Sequence, residues 1–346
     1  MRPSTRILQA PSTSGPPIQQ GLAYATDLVR RADHEAIYVS YFYPAAVRPA
    51  YLALRALNVE LASLPDQVSN QMAGRMRFQW WKDAVKGVLE GNPPPHPLTT
   101  LLTQLPQRPF LSSYHLTRLI SAREAHFLSP TFSTLQDIAD YAAGTQASLL
   151  YLLLQATAAD PSASDPSSPT FRPSRHSRPF VHAGDEHAAS TSLDQKQPLK
   201  EADDLTLDHA ASHLAVANTI VTLLRSIPHH ASRRTNVIPL DVAARHGLKE
   251  EALFRQGPEA GGLQDAVATL AGIAQAELRT ARECFDGTTG VPKRALPVML
   301  SATSSRSFLD RLASPSVDYN PFNAGLHRRY WKLPFQVWDD ARKDRF

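Results

Sequence analysis

Three groups of residues have types or spacings that invite a chemical reading. The first is the lone thiol, Cys284. A single cysteine excludes an intrachain disulfide framework and any cysteine-rich zinc or iron–sulfur site, and in a helical context it reads as a core residue rather than a nucleophile. The second is the adjacent pair His229-His230. Neighbours on a helix point about 100° apart, so the two imidazoles read as a solvated or hydrogen-bonded pair and not as a transition-metal site. The third is His176, His182 and His187, which lack the HxxxH and HExxH spacings of metal ligands and read as solvated loop histidines.

These residues are carried by helices. The 346 residues are 42% hydrophobic, enough for a sizeable core. Alternating β-type runs bounded by tight-turn signals are absent, and the pattern predicts an all-α fold. YATDLVRRADHEAIYVSYF reads as one helix. PAYLALRALNVELASL starts at Pro49 and ends before Pro65, which leaves Asp66 off the helix. A third helix spans about Val68 to Leu89. SSYHLTRLISAREAHFL is another. TLQDIADYAAGTQASLLYLLLQA reads as one helix capped by Ser133 or Thr134. The helix through LTLDHAASHLAVANTIVTLLRSIP ends or kinks at Pro228, Asp241 is the candidate N-cap of the next, and a long helix covers about Gly262 to Phe285.

The 28 prolines concentrate in connectors and tails. From about Ala158 to Asp204 the chain is rich in Ser and Pro, and is expected to be a disordered insertion between two helices. Residues 1–26 hold no Asp or Glu but carry Arg2, Arg6 and several Ser and Thr, a composition open between a mitochondrial transit segment and a plain tail. The uncharged run from Tyr141 to Ala159 is borderline in length for a membrane span, and its polar residues favour a buried core helix. The net charge of +4 is mild and selects no class of partner by itself. At the C-terminal end His327, Arg328, Arg329, Lys332, Arg342, Lys343 and Arg345 alternate with Tyr330, Trp331, Phe335 and Trp338. That interleaving suits a membrane surface or a membrane-embedded partner. Packing of the aromatics as the last helix of the bundle is the alternative.

LRALNVELAS resembles the first aspartate-rich helix of the squalene/phytoene synthase family, and TLLRSIPHHASRRTNVIPLD resembles the second. In that family, Asp at i and i+4 on two facing helices holds Mg²⁺ through oxygen ligands, and the metal clamps a prenyl diphosphate leaving group. The resemblance implies an isoprenoid-synthase-like helical bundle around a central cavity. Aligned residue by residue, the first pair falls on Asn58 and Ala62 and the second on Ser226 and His230, none of which is a carboxylate. Glu60 faces away from Asn58 on the same helix. The resemblance therefore implies a pseudoenzyme with no catalytic residue, no metal and no cofactor. The neighbouring Arg55, Arg77, Arg225, Arg233 and Arg234 have two open readings: they bind an anion such as a lipid phosphate or diphosphate, or Arg55 and Arg77 pair with Glu60, Asp66 or Asp83 inside the bundle.

Further blocks, DQVSNQMAGRMRFQWWKDAV, YAAGTQASLLYLLLQ and FLDRLASPSVDYNPFNAGLHRRYWKLPFQVW, are similar to one branch of that family, the mitochondrial complex I assembly factors, over about residues 21–340. What this implies is a targeting or disordered tail at 1–20, one domain at 21–346 interrupted at about 158–204, and a peripheral position on the matrix side of the inner membrane. The implied partners are complex I subunits or other assembly factors, with inner-membrane lipid as a further contact and no nucleic acid. Two other functions stay open beside it: an active head-to-head prenyl-diphosphate synthase, and a lipid- or prenyl-binding carrier that keeps the cavity.

Overall fold

Small residues at four-residue spacing open the bundle. In the computed structural model, which describes residues 17–159 and 202–346, Gly21, Ala25 and Val29 form the buried face of α1 (Pro17–Ala32). This face packs on α3 (Arg48–Gln67) and α5 (Pro97–Gln104). Asp33, at φ −143°, breaks the chain before α2 (His34–Ser40), so the first expected helix is two.

α3 runs through Pro65, against the expected end, and Asp66 is on the helix after all. A proline in the last turn removes one backbone donor and leaves the earlier ladder intact. Leu61 and Leu64, 0% and 2% exposed, hold that turn against the core at about 1.5–3 kcal/mol each.

α4 (Gln71–Glu90) starts at Asn70, whose Oδ1 accepts from the Ala73 N–H at 2.8 Å, and stops at left-handed Gly91. It packs on α6 (Ser113–Leu128). There Gly74 admits Phe127: a Cβ at 74 would sit 2.2 Å from the Phe127 ring. Thr134 caps α7 (Leu135–Gly144) in a reciprocal capping box with Asp137. The run expected as one helix breaks at Thr145, and α8 (Gln146–Ala158) follows with nearly every residue buried, as a core helix.

The long α9 (Asp204–Ser232), capped by Asp203, is the hub. It packs on α7, α8, α12 (Leu263–Glu283) and α14 (Ser301–Leu312). It continues past Pro228 to Ser232. By length and composition it would suit a membrane span, but 67% of that window is buried inside the fold. Pro239, not Asp241, is the N-cap of α10 (Leu240–Arg245), and Asp241 sits in the first turn. α11 (Glu250–Gln256), α13 (Leu296–Met299) and α15 (Ala324–His327) are short. α16 (Leu333–Arg342) buries Leu333, Val337 and Asp340, and the terminal Phe346 is 3% exposed. No strand occurs among the described residues.

The expected targeting tail lies outside the described residues except for Pro17–Gln20, which begin α1. The expected insertion lies outside them between residues 160 and 201, and its flanks are the end of α8 and the start of α9.

Candidate functional site

A cleft of about 490 Å³ opens between α3, α6, α7 and α9. Ala62, Pro65 and Asp66 come from α3, Arg123, His126 and Phe127 from α6, Tyr141 from α7, and Ser226, His229 and His230 from α9. The two stretches singled out in the sequence thus face each other, with Ala62 opposite Ser226 and His230. Asn58 lies one turn deeper on α3 and is 7% exposed.

Asn58 is held by an arginine. Arg123 Nη2 donates to Asn58 Oδ1 at 2.9 Å, and Nη1 donates to the Tyr141 hydroxyl at 2.6 Å. Arg123 was not singled out from sequence. Its only signal is that it falls on the inward face of α6, four residues from Phe127, and no local pattern marks it.

Asp66, placed on the helix, is the one carboxylate among the lining residues and is engaged. Arg233 forms an ion pair with it, and His229 Nε2 is 3.5 Å from its Oδ2. Glu60 accepts from the Tyr24 hydroxyl on α1, pointing away from Asn58 as its position on the helix requires. Ser226 donates back to the Leu223 carbonyl at 2.8 Å.

The five arginines do not converge. Among them Arg233 lines the cleft. Arg55 is half-buried in an ion pair with Asp33 at the start of α2; burial alone would lower its pKa, and the Asp33 carboxylate, with Tyr51, more than reverses that. Arg225 binds Glu35 Oε2 at 2.7 Å and lies over the Phe308 ring. Arg77 donates to Gln67 at 3.2 Å on the surface. Arg234 is exposed, in a left-handed backbone conformation after α9. The internal pairing read for Arg55 with Glu60, Asp66 or Asp83 is replaced by Asp33, because the break between α1 and α2 brings that carboxylate to α3.

Burial holds two histidines of the cleft, His126 and His230, below the ordinary imidazole range. Burial, then Arg123 and His230, push His126 down to about 4, and its ring stacks on Phe132 at 4.6 Å. His230 is also lowered, chiefly by burial and then by His229. Cys284 is half-buried; burial raises its pKa and its Sγ donates to the Thr280 carbonyl.

Aromatics on α16 and just before it turn outward. Trp331, Phe335 and Trp338 are 70%, 65% and 55% exposed, which removes the reading in which they pack into the bundle. Lys332 lies over Trp331 and Arg342 over Trp338, at 5.5 and 5.3 Å. Tyr330 is half-buried, with Arg311 over its ring at 4.8 Å.

Comparison with known proteins agrees with this architecture. The family model for squalene/phytoene synthase matches residues 29–335. NADH dehydrogenase (ubiquinone) complex I, assembly factor 6, from Mus musculus is 30% identical over 344 residues, covering 99% of this chain and 89% of that protein. The Rattus norvegicus protein of the same name is 30% identical, with 97% and 86% covered. A dehydrosqualene synthase crystal structure superposes with a TM-score of 0.67 at 14% identity, covering 94% of this chain and 96% of that one, which establishes the fold. The chain belongs to the squalene/phytoene synthase family and, within it, to the complex I assembly factor 6 group.

Proposed function

We propose that this protein assembles mitochondrial complex I, the NADH:ubiquinone oxidoreductase, and performs no prenyl transfer. The observation that carries the non-catalytic part is the Arg123–Asn58 contact: a neutral amide stands where the resemblance puts a metal-binding carboxylate, and a guanidinium is bonded to it. A divalent cation there would meet a fixed positive charge instead of anionic oxygens. Ala62, Ser226 and His230 at the other motif positions offer no carboxylate, and Asp66 is committed to Arg233. Without a metal clamp, diphosphate ionisation forfeits its main electrostatic stabilisation. The assembly role rests on the names of the relatives, which match over nearly the whole chain.

The protein works as a peripheral factor on the matrix face of the inner membrane, beside complex I subunits or other assembly factors. The exposed aromatic and basic face of α16 supports that placement: Trp at the headgroup level and cations against anionic lipid are the chemistry of an interfacial anchor. The acid-poor N-terminal segment serves as the mitochondrial address, the remainder forms one domain, and the Ser/Pro-rich segment is an insertion within it.

Deletion of the gene tests the reading. Native gels of mitochondrial membranes should lose mature complex I and accumulate a subassembly, restored by the wild-type chain. Normal complex I in the deletion strain overturns the assembly role. Separately, purified protein with farnesyl or geranylgeranyl diphosphate and Mg²⁺ should release no pyrophosphate above a blank, and turnover would overturn the non-catalytic part.

A further inference from the structure

α9 carries a second histidine pair, which the cleft does not use. His209 and His213 stand one turn apart on the first half of the helix. This is the HxxxH spacing, which lets one helix face offer two imidazoles to one metal ion. The rings stack at 4.8 Å, and their Nε2 atoms are 2.9 Å apart. Nδ1 of His213 lies 2.6 Å from Oε2 of Glu277, on the neighbouring α12. A carboxylate only accepts, so Nδ1 of His213 bears the proton. In the neutral ring Nε2 then bears a lone pair, and it is turned toward His209. His213 and Glu277 are half-buried where α9 packs on α12, and His209 is exposed. One imidazole is thus fixed in ring orientation and tautomer, and its mate opens to solvent.

We propose that His209 and His213 bind a divalent transition metal ion through their Nε2 atoms, with Glu277 as the outer partner that holds the His213 ring. Two nitrogens at about 2.0–2.1 Å from one ion and at a right angle to each other are about 2.9 Å apart, which is the separation of this pair. Right angles belong to Cu²⁺ and Ni²⁺, whereas a tetrahedral ion spreads its nitrogens to about 3.3 Å. Imidazole nitrogen suits these metals, and Mg²⁺ prefers oxygen. A histidine ligand whose other ring nitrogen donates to a carboxylate is the usual outer-shell arrangement of such sites. Among the described residues no group of three or more His, Cys, Asp or Glu could hold a metal, so water completes the coordination. The pair lies about 20 Å along α9 from Ser226, at a rise of roughly 1.5 Å per residue, and is separate from the motif positions of the cleft. Neither the assembly role nor the loss of prenyl transfer depends on it.

Calorimetric titration of the full chain, purified without a histidine tag, tests the site with Ni²⁺ as the probe and Mg²⁺ as competitor. The tightest Ni²⁺ should bind at one per chain, and excess Mg²⁺ should not displace it. His209→Ala and His213→Ala should each weaken that binding at least about tenfold, and Glu277→Gln about tenfold. His229→Ala, in the other pair, should leave it unchanged. His209 is exposed, so its replacement leaves the melting temperature of the metal-free protein nearly as it was. A readout on the wild-type chain needs no variant: one equivalent of Cu²⁺ should show electron paramagnetic resonance coupling to two imidazole nitrogens. Unchanged Ni²⁺ affinity in His209→Ala, displacement of Ni²⁺ by Mg²⁺, or Cu²⁺ without coupling to two nitrogens overturns the proposal.

Discussion

Arg123 on α6 reaches Asn58 on α3 at 2.9 Å, a bond between residues 65 positions apart that crosses the deep end of the cleft. The contact ties two helices together and puts a cation beside the position where the family resemblance would place an anion. It also makes a restoration experiment informative. Asn58→Asp places a carboxylate at the first motif position, but the carboxylate meets Arg123 and not a metal. An ion pair replaces a bond from a cation to a neutral amide, so the variant should gain on the order of 1 kcal/mol in stability. It should still release no pyrophosphate from farnesyl diphosphate with Mg²⁺. Thermal melting and a pyrophosphate assay check both halves, and Mg²⁺-dependent turnover by Asn58→Asp would mean that the site holds metal despite the arginine.

Ala158 at the end of α8 and Asp204 at the start of α9 line one small surface pocket, together with Arg294, which binds Asp204 at 2.8 Å. The ends of the intervening segment are therefore close in space. Replacing residues 160–201 with a short Gly/Ser linker should leave the bundle intact, since shortening a closed loop changes its entropy by only about 1 kcal/mol or less. Circular dichroism and melting temperature are the measurements; a large loss of helicity would show that the segment packs on the domain.

Much of the architecture is written locally. Thr134 with Asp137, Ser112, Asn70 and left-handed Gly91 mark helix ends by side-chain and backbone chemistry that reads directly from residue type. The facing of the two motif stretches was legible from the resemblance. What was not legible depended on tertiary contact. Pro65 reads as a stop, yet buried Leu61 and Leu64 carry the helix past it and so bring Asp66 into the cleft. Thr145 breaks a run that reads as one helix, next to Gly144, which lies so close to Ala122 that a Cβ would be 2.5 Å away. The partners of Arg55, Arg123 and Arg225 lie 22, 65 and 190 positions away in sequence, beyond any local pattern.

Asp340 fastens α16. It is 1% exposed and accepts from Thr303 at 2.8 Å, from Arg306 at 2.6 Å and from Arg345 at 3.2 Å. Asp340→Ala takes the acceptor from Arg306 and from the buried Thr303 hydroxyl, while Arg345 keeps Asp339, and should cost about 1–3 kcal/mol. Asp340→Asn keeps the shape and part of the bonding and should cost less. Chemical denaturation gives the totals, and faster amide exchange confined to residues 333–342 in Asp340→Ala would locate the damage at α16.

The exposed aromatics on α16 and just before it can be removed without touching the helix's anchor. Because Trp331, Phe335 and Trp338 face outward, changing all three to Ala should leave the melting temperature nearly unchanged while abolishing cosedimentation with cardiolipin vesicles. The cationic share of the binding should weaken as salt rises. Truncation before α15 is a poor substitute: it would strip buried Leu326, Leu333, Val337 and Phe346 from the core and lose the 2.5 Å bond from Arg282 to the Phe346 carbonyl. Undiminished sedimentation of the triple variant would place the membrane contact elsewhere.

His126 should make the fold acid-labile. Its pKa falls from 6.5 to about 4 on folding, mainly through burial. A group depressed in this way binds its proton more readily in the unfolded chain, so stability declines as pH drops through 6.5 and levels off near 4. His115, also pushed down to about 4 by burial, acts in the same direction. Asp208 opposes them: burial raises it to about 6, so the folded state takes up its proton first and gains as pH falls over the same interval. The bare pH profile is therefore a sum of opposing contributions, and the difference between two proteins isolates one of them. His126→Phe keeps the ring that stacks on Phe132 and removes the titration. Denaturant midpoints of wild type and His126→Phe, taken between pH 7 and 4, should diverge as pH falls, with the variant losing less. Parallel curves would mean that His126 takes up its proton as readily in the folded cleft as in the unfolded chain.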